Sequence, residues 1–319
     1  MRLVFLDTAM MGGDIDLTPL KAFGELTTYD KTQASEVIER IAHADVVIVN
    51  KVKLGKTEMD AARHLKLICV AATGMDPIDL VYAAERGIPV KNVAGYSTDS
   101  VAQTAFLHFL SVTQHGPYFN RYTHSDAYPA SGVPTHFGGK YFHELCGKQL
   151  GIIGLGAIGR KVASIAQAFG MEVVYYSTSG TDRSGGLYKR LELEELLKTS
   201  DLVSIHAPLN DKTRGLIGKE QLGLMKSGAY LFNLGRGAIV DECALADALN
   251  QGRLAGAGID VFSTEPLPED HCYYKVQDKT KLFLTPHIGW ASVEARQRLV
   301  AMIAENIRQY IASRSGCQG

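Results

Sequence analysis

Among 319 residues there are one tryptophan, five cysteines and no excess of either charge. Lys and Arg number 33 against 34 Asp and Glu, a formal net charge of −1 at pH 7. A chain that grips a phosphate backbone carries a basic field, so the balance argues against nucleic acid and against an anionic membrane surface as partners. No apolar run approaches the roughly 18 residues of a membrane span. The opening MRLVFLD is interrupted too early for a secretory leader and reads as a strand. Cys69, Cys146, Cys243, Cys272 and Cys317 are scattered, odd in number and never in CxxC spacing. They read as isolated buried or incidental thiols, not as metal ligands or disulfide partners. The expectation is a cytoplasmic protein without a metal.

What is present is ordinary for a folded protein: 46% hydrophobic and 21% charged residues, in a length that suits one large or two ordinary domains. Short β-branched runs alternate with helical stretches from the start. Strands are predicted at 2–6, 45–49, 65–70 and 88–93, with helices at 35–43, 57–64 and 78–85. A long helix follows at 98–111. Residues 116–144, rich in Tyr, His, Gly and Pro, follow neither period and read as a partly exposed arm or packing segment. A second alternating series has strands at 150–153, 173–176, 202–205, 229–233, 256–260 and 282–284, and a last helix spans about 293–311. Such alternation predicts α/β architecture with two doubly wound parallel sheets, and places a ligand cleft between the domains.

Gly154-Leu155-Gly156-Ala157-Ile158-Gly159 has G-x-G-x-x-G spacing, directly after an apolar strand and before a helix reaching about Phe169. That context turns a weak motif into a dinucleotide site. Gly154 permits the tight turn and Gly156 admits the pyrophosphate to the backbone. Gly159 lets helix and strand pack closely, and the N–H groups at Ala157 and Ile158 open the helix towards the anion. An acid normally ends the next strand to bind the ribose hydroxyls, yet Ser177 stands there, followed by Thr178, Ser179 and, in the same loop, Arg183. Loss of the carboxylate removes its repulsion of a 2′-phosphate, and Arg183 offers a partner for one. NADP is therefore modestly favoured over NAD. The alternative makes Arg183 a solvated loop charge and leaves the ribose to hydroxyls alone.

Three later segments have the wrong character for plain packing, and all lie at strand ends, where open α/β sheets bind ligands. They carry Arg236 between two glycines, Asp260 and Glu265 in GIDVFSTEP, and His287 after Pro286. Reduction of a 2-oxo acid needs a cation for the carboxylate, a proton donor for the growing alkoxide, and a hydride source. The planar fork of Arg236 suits the first, and His287, held by Glu265, suits the second. Taken singly, a His or Glu is more often structural.

In their order and spacing these segments, with HAPL at 206–209, MKSGA at 225–229 and 233–241, resemble the D-isomer-specific 2-hydroxyacid dehydrogenases over essentially the whole chain. The resemblance implies a Rossmann-type cofactor domain, 99–287, inserted in a flavodoxin-like substrate domain, 1–98 with 288–319, with hinges near 97–99 and 287–292. It implies Arg236, Glu265 and His287 as the catalytic set, Asp260 near the nicotinamide, and His206, Ala207 and Pro208 beside the cofactor. It assigns the substrate carboxylate to the backbone N–H groups of Thr73 and Gly74, and places Val101 against the nicotinamide ring, where ordinary helix packing is the other reading. Segments 142–148 and 287–299 are similar to bacterial glycerate dehydrogenases (hydroxypyruvate reductases). By that likeness Trp290 walls the substrate pocket, unless it is simply a core residue starting the last helix. Leu234 departs from the family, which commonly has a small hydroxylated residue there. Residues 113–144 are expected to form the arm of a homodimer paired through the cofactor domain. Hydroxypyruvate or glyoxylate, with D-glycerate or glycolate, is the expected substrate pair. Another small 2-oxo acid, or a dinucleotide-sensing role like that of the related corepressors, is the alternative.

Overall fold

The computed structural model describes residues 1–182 and 184–315. The chain divides into two compact units, residues 1–97 with the segment from 290 onward, and residues 98–289.

The first unit runs β1 (Arg2–Phe5), α1 (Thr18–Lys21), β2 (Glu25–Thr28), α2 (Val37–Ile41), β3 (Val46–Val49), α3 (Lys56–Ala61), β4 (Leu67–Val70), α4 (Leu80–Glu85) and β5 (Val90–Lys91). Its strands are parallel in the order β2-β1-β3-β4-β5, a flavodoxin-like arrangement. β3 reads Val-Val-Ile-Val with every residue buried, as a strand covered on both faces must. Alternate residues supply the two faces: Leu3, Val46 and Leu67 enter one apolar cluster, and Val4, Val47 and Ile68 enter the other. The edge strand β2, Glu-Leu-Thr-Thr, is mostly exposed and was not expected, because an edge strand facing water needs no apolar run.

The second unit holds α5 (Thr98–Thr113), α6 (Gly116–Thr123), α7 (Ala127–Ala130), β6 (Gln149–Ile153), α8 (Ala157–Ala168), β7 (Glu172–Tyr176), β8 (Lys189–Arg190), α9 (Leu193–Thr199), β9 (Leu202–Ile205), α10 (Lys219–Leu224), β10 (Tyr230–Asn233), α11 (Glu242–Asn250), β11 (Gly256–Ile259) and β12 (Leu282–Leu284). Its strands are parallel in the order β12-β11-β10-β9-β6-β7-β8. The winding reverses between β6 and β9, and this is the Rossmann switch point. The glycines of β11, Gly-Ala-Gly-Ile, open a groove on one sheet face. A Cβ at Gly256 would overlap Val112 of α5, and one at Gly258 would lie 2.8 Å from His108 Nδ1. Residues 108 and 112 are one helical turn apart, so the groove receives one stripe of α5.

The arm, expected to follow neither period, contains α6 and α7. None of their residues is buried. In α6 Tyr118, Phe119 and Tyr122 are only half-buried, and so short a helix gives a weak sequence signal. The chain ends with α12 (Val293–Ser315), whose Ala295, Leu299, Ile303 and Ile307 repeat every four residues and join the core of the first unit.

Candidate active site

The glycine turn is built by close approaches. A Cβ on Gly154, whose φ is +94°, would lie 2.8 Å from the backbone N of Ala207. One on Gly159 would fall on the carbonyl oxygen of Gly154, whereas one on Gly156 would meet nothing within 4 Å. The strand and α8 are thus pressed together while the turn faces open space. The N-cap Gly156 is extended, and the first N–H groups of this 12-residue helix have no partner inside it. Small groups, open space and aimed donors fit a pyrophosphate. On the neighbouring strand end, a Cβ at Gly235 would lie 2.8 Å from the Ala207 carbonyl, so Ala207 is wedged between the two loops. Pro208 is exposed beside it. The His206 ring turns back along β9 to Ser204, Nε2 to Oγ 2.9 Å, and burial pushes its pKa down to about 3.

Beyond β7, Ser177 is buried and its hydroxyl donates to the Thr181 carbonyl at 2.7 Å. Thr178 is half-buried beside it. The loop does hold an acid, Asp182, but that carboxylate accepts from Tyr175 Oη at 2.5 Å, Ser184 N at 2.7 Å and Ser184 Oγ at 2.8 Å. The Tyr175 hydroxyl bond, the first of these causes, holds its pKa below the usual range. Arg190 of β8 donates to the Gly180 carbonyl at 2.7 Å, a cation on this loop that the sequence reading missed. Arg183 lies outside the described residues.

The three predicted catalytic residues stand at the C-terminal ends of three adjacent strands. Arg236 follows β10, with its carbonyl accepting from Asn233 Nδ2 at 2.9 Å and its Nη1 donating to Gly235 O at 2.9 Å. Glu265 follows β11 and His287 follows β12. The structure brings these two together: His287 Nδ1 lies 2.8 Å from both Oε1 and Oε2 of Glu265. His287 has φ +54°, a left-handed conformation uncommon for a side-chain-bearing residue. The loop carrying Glu265 is seated from two sides. A Cβ on Gly237 would collide with the backbone of Phe262 and Ser263. On the other side Glu242 accepts the Ser263 N–H at 2.9 Å, and its second oxygen lies 3.1 Å from His271 Nε2. Glu242 and His271 escaped the sequence reading, which had no signal for a partner 21 residues away.

Asp260 points inward. Its Oδ1 accepts from Thr285 Oγ1 at 2.6 Å and Ile288 N at 2.9 Å, and its Oδ2 accepts from Gly289 N at 2.9 Å. Burial raises its pKa, and the donors from Thr285, Gly289 and Ile288 oppose the rise. The carboxylate therefore braces the turn that carries His287. Val101 is buried in α5.

The remaining predicted residues belong to the first unit. The Thr73 hydroxyl donates to Val93 O at 3.2 Å and its carbonyl accepts from Asn92 Nδ2 at 2.6 Å. These bonds engage the side chain and carbonyl and leave the backbone N–H as the group the sequence reading invokes. Gly74 follows it, half-buried. Trp290 meets Tyr96 edge-on at 6.3 Å and packs, partly buried, on that unit's core. No cluster of three or more His, Cys, Asp or Glu among the described residues is placed to hold a metal ion.

Residues 106–289 match the family model described as D-isomer specific 2-hydroxyacid dehydrogenase, NAD binding domain. The chain is 36% identical over 316 residues to a hydroxypyruvate reductase of Blautia hydrogenotrophica, covering 98% of this chain and 97% of that one. It is 35% identical over 315 residues to a glycerate dehydrogenase of Methylorubrum extorquens, with 98% and 97% covered. Among solved structures it is similar to an acyclic imino acid reductase (Bsp5) in complex with NADPH and D-Arg (TM-score 0.86, 28% identity, 98% of each chain). It is also similar to a D-lactate dehydrogenase from Aquifex aeolicus complexed with NAD and lactic acid (TM-score 0.84, 28% identity, 98% of this chain and 96% of that one). With its glycine turn, its Arg236 loop and its paired Glu265 and His287 on successive strand ends, the chain belongs to the D-isomer specific 2-hydroxyacid dehydrogenases.

Proposed function

We propose that the protein interconverts hydroxypyruvate or glyoxylate with D-glycerate or glycolate, using a nicotinamide dinucleotide. The observation that carries this reading is the His287–Glu265 pair. A dinucleotide held at the 154–159 turn supplies the hydride in reduction and takes it in oxidation. Glu265 occupies Nδ1 of His287, so the proton that moves to or from the substrate oxygen is the one on Nε2. The carboxylate of Glu265 stabilises the imidazolium that donates it. The Arg236 guanidinium offers its fork to the substrate carboxylate and 2-oxo group. In the first unit the proposed substrate contacts are the N–H groups of Thr73 and Gly74 and the side chain of Trp290.

NADP is favoured over NAD because no carboxylate ends β7 at Ser177 and Asp182 is committed to Tyr175 and Ser184. A second copy of the chain is the proposed partner, paired through the arm, where Val133, Phe137, Tyr141 and Phe142 are exposed. A cytoplasmic location accords with a chain in which no described helix is long and apolar enough to cross a membrane.

The test is a panel of small 2-oxo acids with NADH and NADPH, run on the wild type and on His287→Ala. Turnover of hydroxypyruvate or glyoxylate to the D-product is expected, and the variant should lose about a hundredfold or more in kcat. Dinucleotide binding with no turnover of any acid would instead establish a sensing role. A large NADH advantage would overturn the NADP preference.

A further inference from the structure

The first helix of the second unit reaches the catalytic turn through a buried polar relay. His108 is 0% exposed in the middle of α5. Its ring lies over the rung that pairs Gly258 of β11 with Phe283 of β12. Gly258 leaves the room it needs, and Phe283 meets it edge-on at 5.0 Å. Nε2 then reaches Thr285, two residues beyond Phe283, at 2.8 Å from Oγ1. The Thr285 hydroxyl donates to Asp260 Oδ1, so its oxygen must accept from His108, and the ring carries its hydrogen on Nε2. Nδ1, turned towards Gly258, is buried without a partner. Burial pushes the pKa of His108 down to about 4, which keeps this neutral tautomer at physiological pH.

The same stripe of α5 supports the turn again one and two helical turns earlier. Ser100 Oγ donates to Gly289 O at 2.6 Å, and a Cβ on Gly289 would lie 3.8 Å from Thr104 Cβ. Residues 100, 104, 108 and 112 are spaced by four and form one face.

We propose that His108, acting through Thr285, is a positioning residue for the reaction: its Nε2–H orients the Thr285 hydroxyl, which fixes the Asp260 carboxylate and so the N–H groups of Ile288 and Gly289 that hold the His287 turn. The carboxylate has three donors on two oxygens. If the hydroxyl is free to rotate, its oxygen loses the donor that commits its hydrogen to Asp260, and the turn loses one of its braces. His108 itself touches no reacting atom in this scheme, and the proposal rests on His287 being the acid/base.

The experiment compares full-length His108→Phe, His108→Gln, Thr285→Val and Thr285→Ser with the wild type. It reads kcat, the KM for dinucleotide, and Tm. Phe at 108 or Val at 285 should each lower kcat by about tenfold or more with dinucleotide KM nearly unchanged. Gln at 108 and Ser at 285 should recover most of the loss. Because both residues act on one carboxylate, the double variant should be little worse than the poorer single one. Wild-type kcat in Thr285→Val, no advantage of Ser over Val, or losses that simply multiply would overturn the proposal. The tautomer of His108, read from its 15N shifts at neutral pH, tests the relay independently of the role of His287. A ring protonated on Nε2 is expected and one protonated on Nδ1 overturns it. If His287→Ala keeps full turnover while the ring proves to be the Nε2–H tautomer, the catalytic reading fails and the relay stands.

Discussion

His108 shows how a single buried side chain ties stability to pH. Its pKa is about 4 in the folded protein and about 6.5 in an unfolded chain. Between these values the unfolded chain takes up a proton that the folded one refuses. The neutral ring therefore costs nothing above pH 6.5, and stability falls as pH drops from 6.5 to 4, by at most about 1.4 kcal/mol per pH unit for one group. Asp260, whose pKa is raised by burial, works in the opposite direction, from the ordinary carboxylate value upward. The difference between the wild type and His108→Gln isolates the histidine. Thermal melts should show the Tm gap moving in favour of the variant as pH falls from 6.5 to 4, and a gap independent of pH would refute this account. None of this is visible in the sequence, where His108 sits on an apolar helix and looks like any packed residue. Its role depends on two glycines 148 and 150 residues further on, at 256 and 258, and on the register that sets β11 beside β12.

At the scale of elements, the turn after β6 and the start of α8 fit closely. Because a Cβ on Gly159 would land on the Gly154 carbonyl, Gly159→Ala must push the helix away from the turn. A loss of about 1–3 kcal/mol of stability is expected for such overpacking, with a larger proportional loss of dinucleotide affinity, because the helix N-terminus itself moves. Calorimetry and dinucleotide titration measure the two. Gly156→Ala, whose Cβ meets no protein atom, should leave the Tm nearly unchanged while weakening binding. The main strands were legible because buried parallel strands demand continuous β-branched runs, such as Val46–Val49, and the turn was legible because its glycines have steric work to do. The short exposed strands β2 and β8 and the helix α6 were not, since an element that buries little leaves little pattern. The proposed catalytic residues were read from their loops. The support beneath them, Glu242 with His271 and Thr285 with His108, was not, because hydrogen bonds between distant segments leave no periodic trace.

For the whole molecule, the arm is the part of the second unit whose surface least suits water. Phe137 and Tyr141 are 49% and 74% exposed; the arm is held to the body by Lys140, paired with Asp278 at 2.9 Å, and its two ends are joined by Gln114, which donates to His143 O at 2.9 Å. An exposed apolar patch on an anchored surface is a candidate interaction site, and the proposed occupant here is a second copy of the chain. Sedimentation should give twice the chain mass for the wild type, and Phe137→Asp with Tyr141→Asp should shift it to one chain. A wild type that sediments as a single chain at micromolar concentration would end the dimer proposal. The second unit has another property of the whole. Ser100 Oγ holds Gly289 O at 2.6 Å, so this segment of the polypeptide leaves and returns at neighbouring points. Breakpoints at 97/98 and 289/290 cut no ladder of either sheet. In genetic terms residues 98–289 form a cassette with adjoining ends, one that recombination can move between hosts without stretching either.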